Sequence, residues 1–266
     1  MSILAITAPH HSHLVQRLRS ASPAMWWTSL AFLMACAICV TLAAIDPRLF
    51  NGISIWVKPA KFFLSLAVHM LTLSFGLILL PERIRTSRPA QLATATMVAM
   101  AILEMLYITY RAALAEASHF NTASPLAAFL YNLMGAGAGL MMLVTLFIGI
   151  QIIRHASPTL IARATGWGFV AAALMTLAVG FTLGGMGSHW IGGDQTDATG
   201  LPVIGWSTTG GDLRAAHFAG LHIMQVLPLA AVAGSRAIVW ASAAAMSLAT
   251  VACYILALNG IPLIHL

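Results

Sequence analysis

Seven apolar runs, at residues 25–45, 62–80, 91–111, 126–153, 164–185, 213–234 and 237–258, set the terms for everything this chain can become. A bilayer's hydrocarbon core is about 30 Å thick and takes about 20 helical residues to cross. In lipid a backbone must satisfy its own hydrogen bonds, which a helix does within one segment. Breaks rich in Pro, Gly, Ser or charge separate the runs: Pro81 to Pro89, Ser157-Pro158, Gly192 to Gly211 and Gly234-Ser235-Arg236. Soluble domains are about a quarter charged. Here charged residues are 8% and hydrophobic ones 60%. The sequence therefore predicts an all-α polytopic membrane protein: one bundle of seven transmembrane helices over 25–266, preceded by a cytoplasmic tail over 1–24.

Charge sets the expected direction. Arg17, Arg19, Arg83, Arg85, Arg88, Arg154, Arg163 and Arg236 lie on one side. Arg48, Lys58, Lys61, Arg111 and Arg214 lie on the other. The richer side is cytoplasmic by the positive-inside rule, so the N-terminus is inside and the C-terminus outside. This is the pattern of a multi-pass protein of a cell membrane, of the bacterial inner-membrane type. The net charge of +6 includes no basic run. It reads as a topology signal, and nucleic acid is not an expected partner. Cys36, Cys39 and Cys253 fall inside spans and read as small packing residues. The polar leader of about two dozen residues suits a signal anchor better than a cleaved signal peptide. Its His10, His11 and His13 read as part of a disordered tail. Asp46 to Lys61 reads as an amphipathic stretch along the interface, anchored by Trp56. Gly135 and Gly139, and Gly180 and Gly184, have the small-xxx-small spacing that lets membrane helices pack closely.

Three ionisable residues inside spans are the main functional signal. His69, Glu104 and His222 each cost several kcal/mol, roughly 3, if exposed to hydrocarbon. His69 is eight residues inward from Lys61, and His222 is eight inward from Arg214, about 12 Å of helix each. Glu104 lies seven residues, about 10 Å, below Arg111, with Tyr107 near the same stripe. All three are expected at one depth, facing one cavity open to the outer face. Lys61, Arg111 and Arg214 are expected at its mouth, and Lys58 joins Lys61 and Arg214 beside two helix starts, where cations suit an anion. His217 and His222 are five residues apart, about 140° around a helix, and do not form a ligand pair on one face. His217 is expected high near Arg214, and Gln225 is expected to bond His222. His119 and His189 lie in outer loops. In the long outer loop, Asp194 and Asp197 read as solvated surface.

Three functions use these residues differently. The leading expectation is a haem-binding redox protein, with His69 and His222 as axial ligands of haem b and the rim cations on its propionates. The second is a zinc-dependent membrane hydrolase acting on a lipid, with Zn held by His69, His222 and Glu104 and one position left for water. Seven spans with buried histidines are similar in outline to the ceramidase-like membrane hydrolases, although the paired histidines one helical turn apart are missing. The third is a transporter or receptor for a small anionic ligand, with Glu104 as proton relay. A lipid, a quinone or a small anion is the kind of partner these readings imply. A retinal-type pigment is disfavoured, because no lysine lies mid-span for a Schiff base.

Overall fold

The computed structural model describes residues 8–265. Its membrane-crossing helices are α2 (Pro23–Ile45), α3 (Val57–Ile78), α5 (Arg88–Ala113), α6 (Pro125–His155), α7 (Leu160–Met186), α8 (Leu213–Val232) and α9 (Arg236–Leu258). All seven are long and apolar enough to span a bilayer. Helix α1 (Ala8–Ala21) precedes them and α4 (Glu82–Arg85) lies in the connection between α3 and α5. Of the expected disordered tail, residues 1–7 fall outside the described residues, and the rest is helical through Ala21. Arg17 donates to the carbonyl of Ile78 at 3.4 Å, which ties α1 to the end of α3.

Local chemistry places the helix starts. The hydroxyls of Ser22, Ser124, Thr159 and Ser235 accept from the amides of Met25, Ala127, Ala162 and Ile238. Each cap satisfies an N–H that the first turn leaves free. Proline opens α2 and α6, where its missing N–H costs nothing.

Residues 46–61 are not an interfacial helix. Strands β1 (Leu49–Phe50) and β2 (Ile53–Ser54) form an antiparallel hairpin, and α3 starts at Val57. Asn51 (φ 50°) and Gly52 (φ 81°) make its turn. Asn-Gly with both residues left-handed is a preferred two-residue hairpin turn, which outweighs the amphipathic pattern. Trp56 is buried rather than an interfacial anchor, and its indole N–H donates to Asp46 at 2.8 Å. Hydrogen bonds from Arg48 and then Trp56 hold the Asp46 carboxyl well below its usual range.

Helix packing centres on α6, α7 and α8. A Cβ built on Gly149 would sit 3.0 Å from the Gly166 carbonyl, so the backbones of α6 and α7 cross there almost in contact. Gly168 faces α8 at Ile223 and Leu227, and Gly220 faces α7 at Met175. Phe169 is fully buried and presses its ring on Gly76 of α3. The glycines expected to pack helices do not do so within the chain. Gly135, Gly139, Gly180 and Gly184 meet nothing within 4 Å. The crossing sits lower, at Gly149 and Gly166, and the outer halves of α6 and α7 carry the other four.

Candidate functional site

The segment after α7 folds over the outer end of the bundle. Strand β3 (Trp190–Ile191) pairs with β4 (Gly211–Asp212), which leads directly into α8. Asp212 caps α8 by accepting from the Arg214 amide at 3.0 Å. Its carboxylate also takes the Arg214 guanidinium, at 2.6 Å to Nη2. Arg214 donates further to Asp197 at 2.8 Å and to the Gly205 carbonyl at 2.6 Å. Asp197 is thus an ion-pair partner, not solvated surface, with a side chain only 12% exposed. Its own amide and the Thr196 hydroxyl both donate to the Asn51 carbonyl in the β1–β2 turn. Lys61 of α3 donates to the Ile204 carbonyl at 3.1 Å. The loop is therefore pinned to the first turns of both α3 and α8.

These bonds revise the expected rim. Arg214 is held by two carboxylates and a carbonyl, and Arg111 pairs with Glu116 at 2.8 Å and donates to the Ala117 carbonyl. Both guanidiniums thus already carry a carboxylate counter-charge. Lys58 differs. Its ammonium lies 3.1 Å from Nδ1 of His119, and the Ser118 hydroxyl lies 3.1 Å from the same nitrogen. An ammonium only donates, so Nδ1 accepts and the His119 proton sits on Nε2. His119 is neutral and gives Lys58 no counter-charge. Lys58 lies within electrostatic range of Arg214, Asp197, Glu104 and Lys61.

Within electrostatic reach of this pair lie buried polar atoms with no hydrogen-bond partner: Glu104 Oε2, His189 Nδ1 and His217 Nδ1, and the Tyr107 hydroxyl, also unpartnered, lies one helical turn from Glu104 on α5. The His189 nitrogen is 3.6 Å from Asp212 Oδ1, beyond hydrogen-bond length. Phe62, Phe120 and Tyr131 surround the His119 ring, with Phe62 nearest at 5.5 Å between centroids. Each unpartnered buried group costs about 1–3 kcal/mol, and such groups concentrate where something else binds.

Glu104 feels the charge of Lys58, whereas His69 feels that of His222. Lys58 and His69 are eleven residues apart on α3, about 16 Å of helix. Helix α3 begins at Val57, not Phe62, so its register places Lys58 rather than Lys61 above the site. His69 is buried with Nε2 2.9 Å from the Thr145 hydroxyl of α6. That hydroxyl donates to the Met141 carbonyl at 3.0 Å, so it accepts from His69 and Nε2 carries the proton. His69 therefore serves as an interhelical hydrogen-bond donor, and its Nε2 has no free lone pair for iron. His222 is the opposite case. Its Nδ1 lies 2.8 Å from the Phe218 carbonyl, which only accepts, so Nε2 keeps its lone pair. Gln225 bonds Thr72 at 3.3 Å instead of His222. Among the described residues no three His, Cys, Asp or Glu side chains gather as a metal would need, so the His69, His222 and Glu104 set for zinc is not assembled.

Sequence reasoning missed Thr145, the Lys58–His119 pair and the two aspartates on Arg214. Only Asp212 gave a sign, as a cap two residues before a cation.

Protonation couples the loop to pH. Burial would raise the Asp212 carboxyl, but His189 and Arg214 outweigh it and hold it at about 2. Burial pushes the His189 imidazole down against the pull of Asp212, and pushes His119 well down with the help of Lys58. Lowered folded values mean these imidazoles contribute stability above about pH 6.5, the unfolded histidine value, which is lost as pH falls below it. Asp212 adds a second loss between its unfolded value of 3.8 and about 2. The thermal midpoint should therefore be level from pH 8 to 7 and fall from pH 6.5 to 5, with a shallower fall in His189→Gln. A midpoint that stays level down to pH 5 would contradict the buried neutral imidazoles.

No protein-family model, no curated protein and no solved structure matches this chain.

Proposed function

We propose that this multi-pass membrane protein binds a small anionic ligand between the outer ends of α3, α5 and α8, as a transporter or receptor. The observation that carries the reading is Lys58: a partly buried ammonium whose hydrogen-bond partner is a neutral imidazole, with Glu104 and His217 unpartnered nearby and Tyr107 unpartnered one turn from Glu104. An anion supplies what each lacks. It gives Lys58 a counter-charge and accepts from Tyr107 and from Nε2 of His119. Glu104 in its acid form donates to the anion, and in transport it releases that proton as the anion leaves. The overlying loop keeps bulk water out, which strengthens each of these contacts. A cell membrane of the bacterial inner-membrane type is its proposed location, with the loop on the extracytoplasmic side as the arginine distribution indicates.

A second reading, a haem protein, keeps one specific support. His222 has the ligand-ready tautomer, with Nδ1 tied to its own helix and Nε2 bare. His69 spends its Nε2 on Thr145, so only its Nδ1 lone pair is left for the opposite side of an iron.

One preparation separates the two. Protein extracted in mild detergent is analysed by native mass spectrometry and absorption spectroscopy. The anion reading expects a colourless protein with a small bound mass, and at least tenfold less of it in Lys58→Met, because a hydrogen bond to a charged group is worth about 1.5–3 kcal/mol. Equal bound mass in wild type and Lys58→Met sinks it. A Soret band that vanishes in His222→Ala establishes haem instead.

A further inference from the structure

The opposite end of the bundle carries a feature that the outer site does not use. Below the Gly149–Gly166 crossing, the inner ends of α6 and α7 part around a cavity of about 230 Å³. Ile153 of α6 and Ala156, which caps its end, form one wall. Arg163 and Trp167 of α7 form the other, and Ser157 and Pro158 of the connecting turn close the base. The upper part is apolar and the lower part cationic.

Three observations fix the kind of occupant. Arg163 is exposed and, among the described residues, makes neither an ion pair nor a side-chain hydrogen bond. Arg154, in the last turn of α6, is also exposed, outside the cavity lining. The chain holds no Asp or Glu between Glu116 and Asp194, so no acid of this stretch offsets these arginines. Trp167 is 55% exposed one helical turn above Arg163, so an indole stands directly over a guanidinium along one face. Indoles favour the level where headgroups meet acyl chains, and guanidinium forks suit phosphate.

We propose that this cleft binds an anionic phospholipid of the leaflet on the arginine-rich side. The phosphate lies on Arg163, with Arg154 adding attraction, and one acyl chain runs up past Trp167 along Ile153. A zwitterionic lipid has the same acyl chains but cancels the phosphate charge with its own cation, and free phosphate lacks the chains that fill the upper part. The bound lipid reaches both α6 and α7 below their crossing and so stabilises the pair.

The test uses purified full-length protein in detergent micelles doped with dioleoylphosphatidylglycerol or dioleoylphosphatidylcholine. Phosphatidylglycerol should raise the thermal midpoint by several degrees and survive as a lipid adduct in native mass spectra. Phosphatidylcholine should do neither. Arg163→Gln should keep the lipid-free midpoint, since the side chain is exposed, and weaken the phosphatidylglycerol response about tenfold. Trp167→Leu should weaken it less. If Arg163→Gln fails to fold, Arg154→Gln with the wild-type comparison of the two lipids decides the matter. Equal responses to both lipids, or an unchanged response in Arg163→Gln, overturn the proposal. An equal shift with inorganic phosphate overturns it too, because the site would then hold a bare anion and not a lipid.

Discussion

Replacing Arg214 with Met is expected to lower the thermal midpoint by about 10 °C and to open the 187–212 segment to proteases. The guanidinium is held by two carboxylates and a carbonyl, and the Asp212 side chain is only 4% exposed. Removing one partner of a buried ion pair leaves an uncompensated charge and costs about 3–5 kcal/mol. For a chain of this size each kcal/mol shifts the midpoint by roughly 2–4 °C. The effect should begin at the outer end, since Asp197 and Asp212 carry the loop's attachments to α3 and α8. Adding Asp212→Asn should restore part of the loss by removing one stranded charge. A midpoint within 2 °C of wild type would show that the Arg214 cluster is solvated and holds nothing.

The second large effect is at the α6–α7 crossing. In Gly149→Leu, the new side chain meets the Gly166 carbonyl and the Val170 amide, which are backbone and cannot move aside alone. The helices must separate, which strips packing from Phe169 as well. Overpacking typically costs about 1–3 kcal/mol, and a rigid obstacle belongs at the upper end. A loss of about 3 kcal/mol is expected, with broadened elution on gel filtration. Gly135→Leu and Gly180→Leu serve as controls, because both positions meet nothing within 4 Å. They should shift stability by less than about 0.5 kcal/mol, the usual range for surface changes. If all three variants behave alike, the crossing is elsewhere.

The spans were legible because their period and length answer to one dominant energy, the cost of unpaired backbone in lipid. Each predicted span lies within or close to a helix, with boundaries shifted by a few residues where Ser, Thr and Pro caps act. The hairpin over 49–54 was missed because a turn signal two residues long decided against a hydrophobic pattern sixteen residues long. The glycine spacing pointed to Gly135, Gly139, Gly180 and Gly184 as packing sites, but none of the four packs within this chain, and the close approach falls at Gly149 and Gly166 instead. Site residues were legible one at a time and not as a set. Glu104 and the histidines betray themselves by being polar inside spans. Which of them share a space depends on register between helices, and a start misjudged by five residues on α3 moved the outer partner from Lys58 to Lys61. Thr145 gives no sign at all, since threonine in a membrane helix usually bonds its own preceding turn, as Thr145 also does with Met141.

The attachment of the 187–212 loop has a kinetic meaning. Two of its bonds end on the Asn51 carbonyl, one on Lys61 and several on Arg214, so no part of it lifts independently of the others. Lids that close a site usually move on microsecond to millisecond timescales. One fastened at both α3 and α8 must break an ion-pair cluster before it moves. A molecule exchanging with the space beneath is then timed by the latch and not by diffusion. Its arrival rate should fall below the usual 10⁵–10⁷ M⁻¹s⁻¹ range, roughly, of specific encounters. Once inside, it should leave slowly for the same reason, so that rates in both directions respond to salt and acid even if the affinity barely changes.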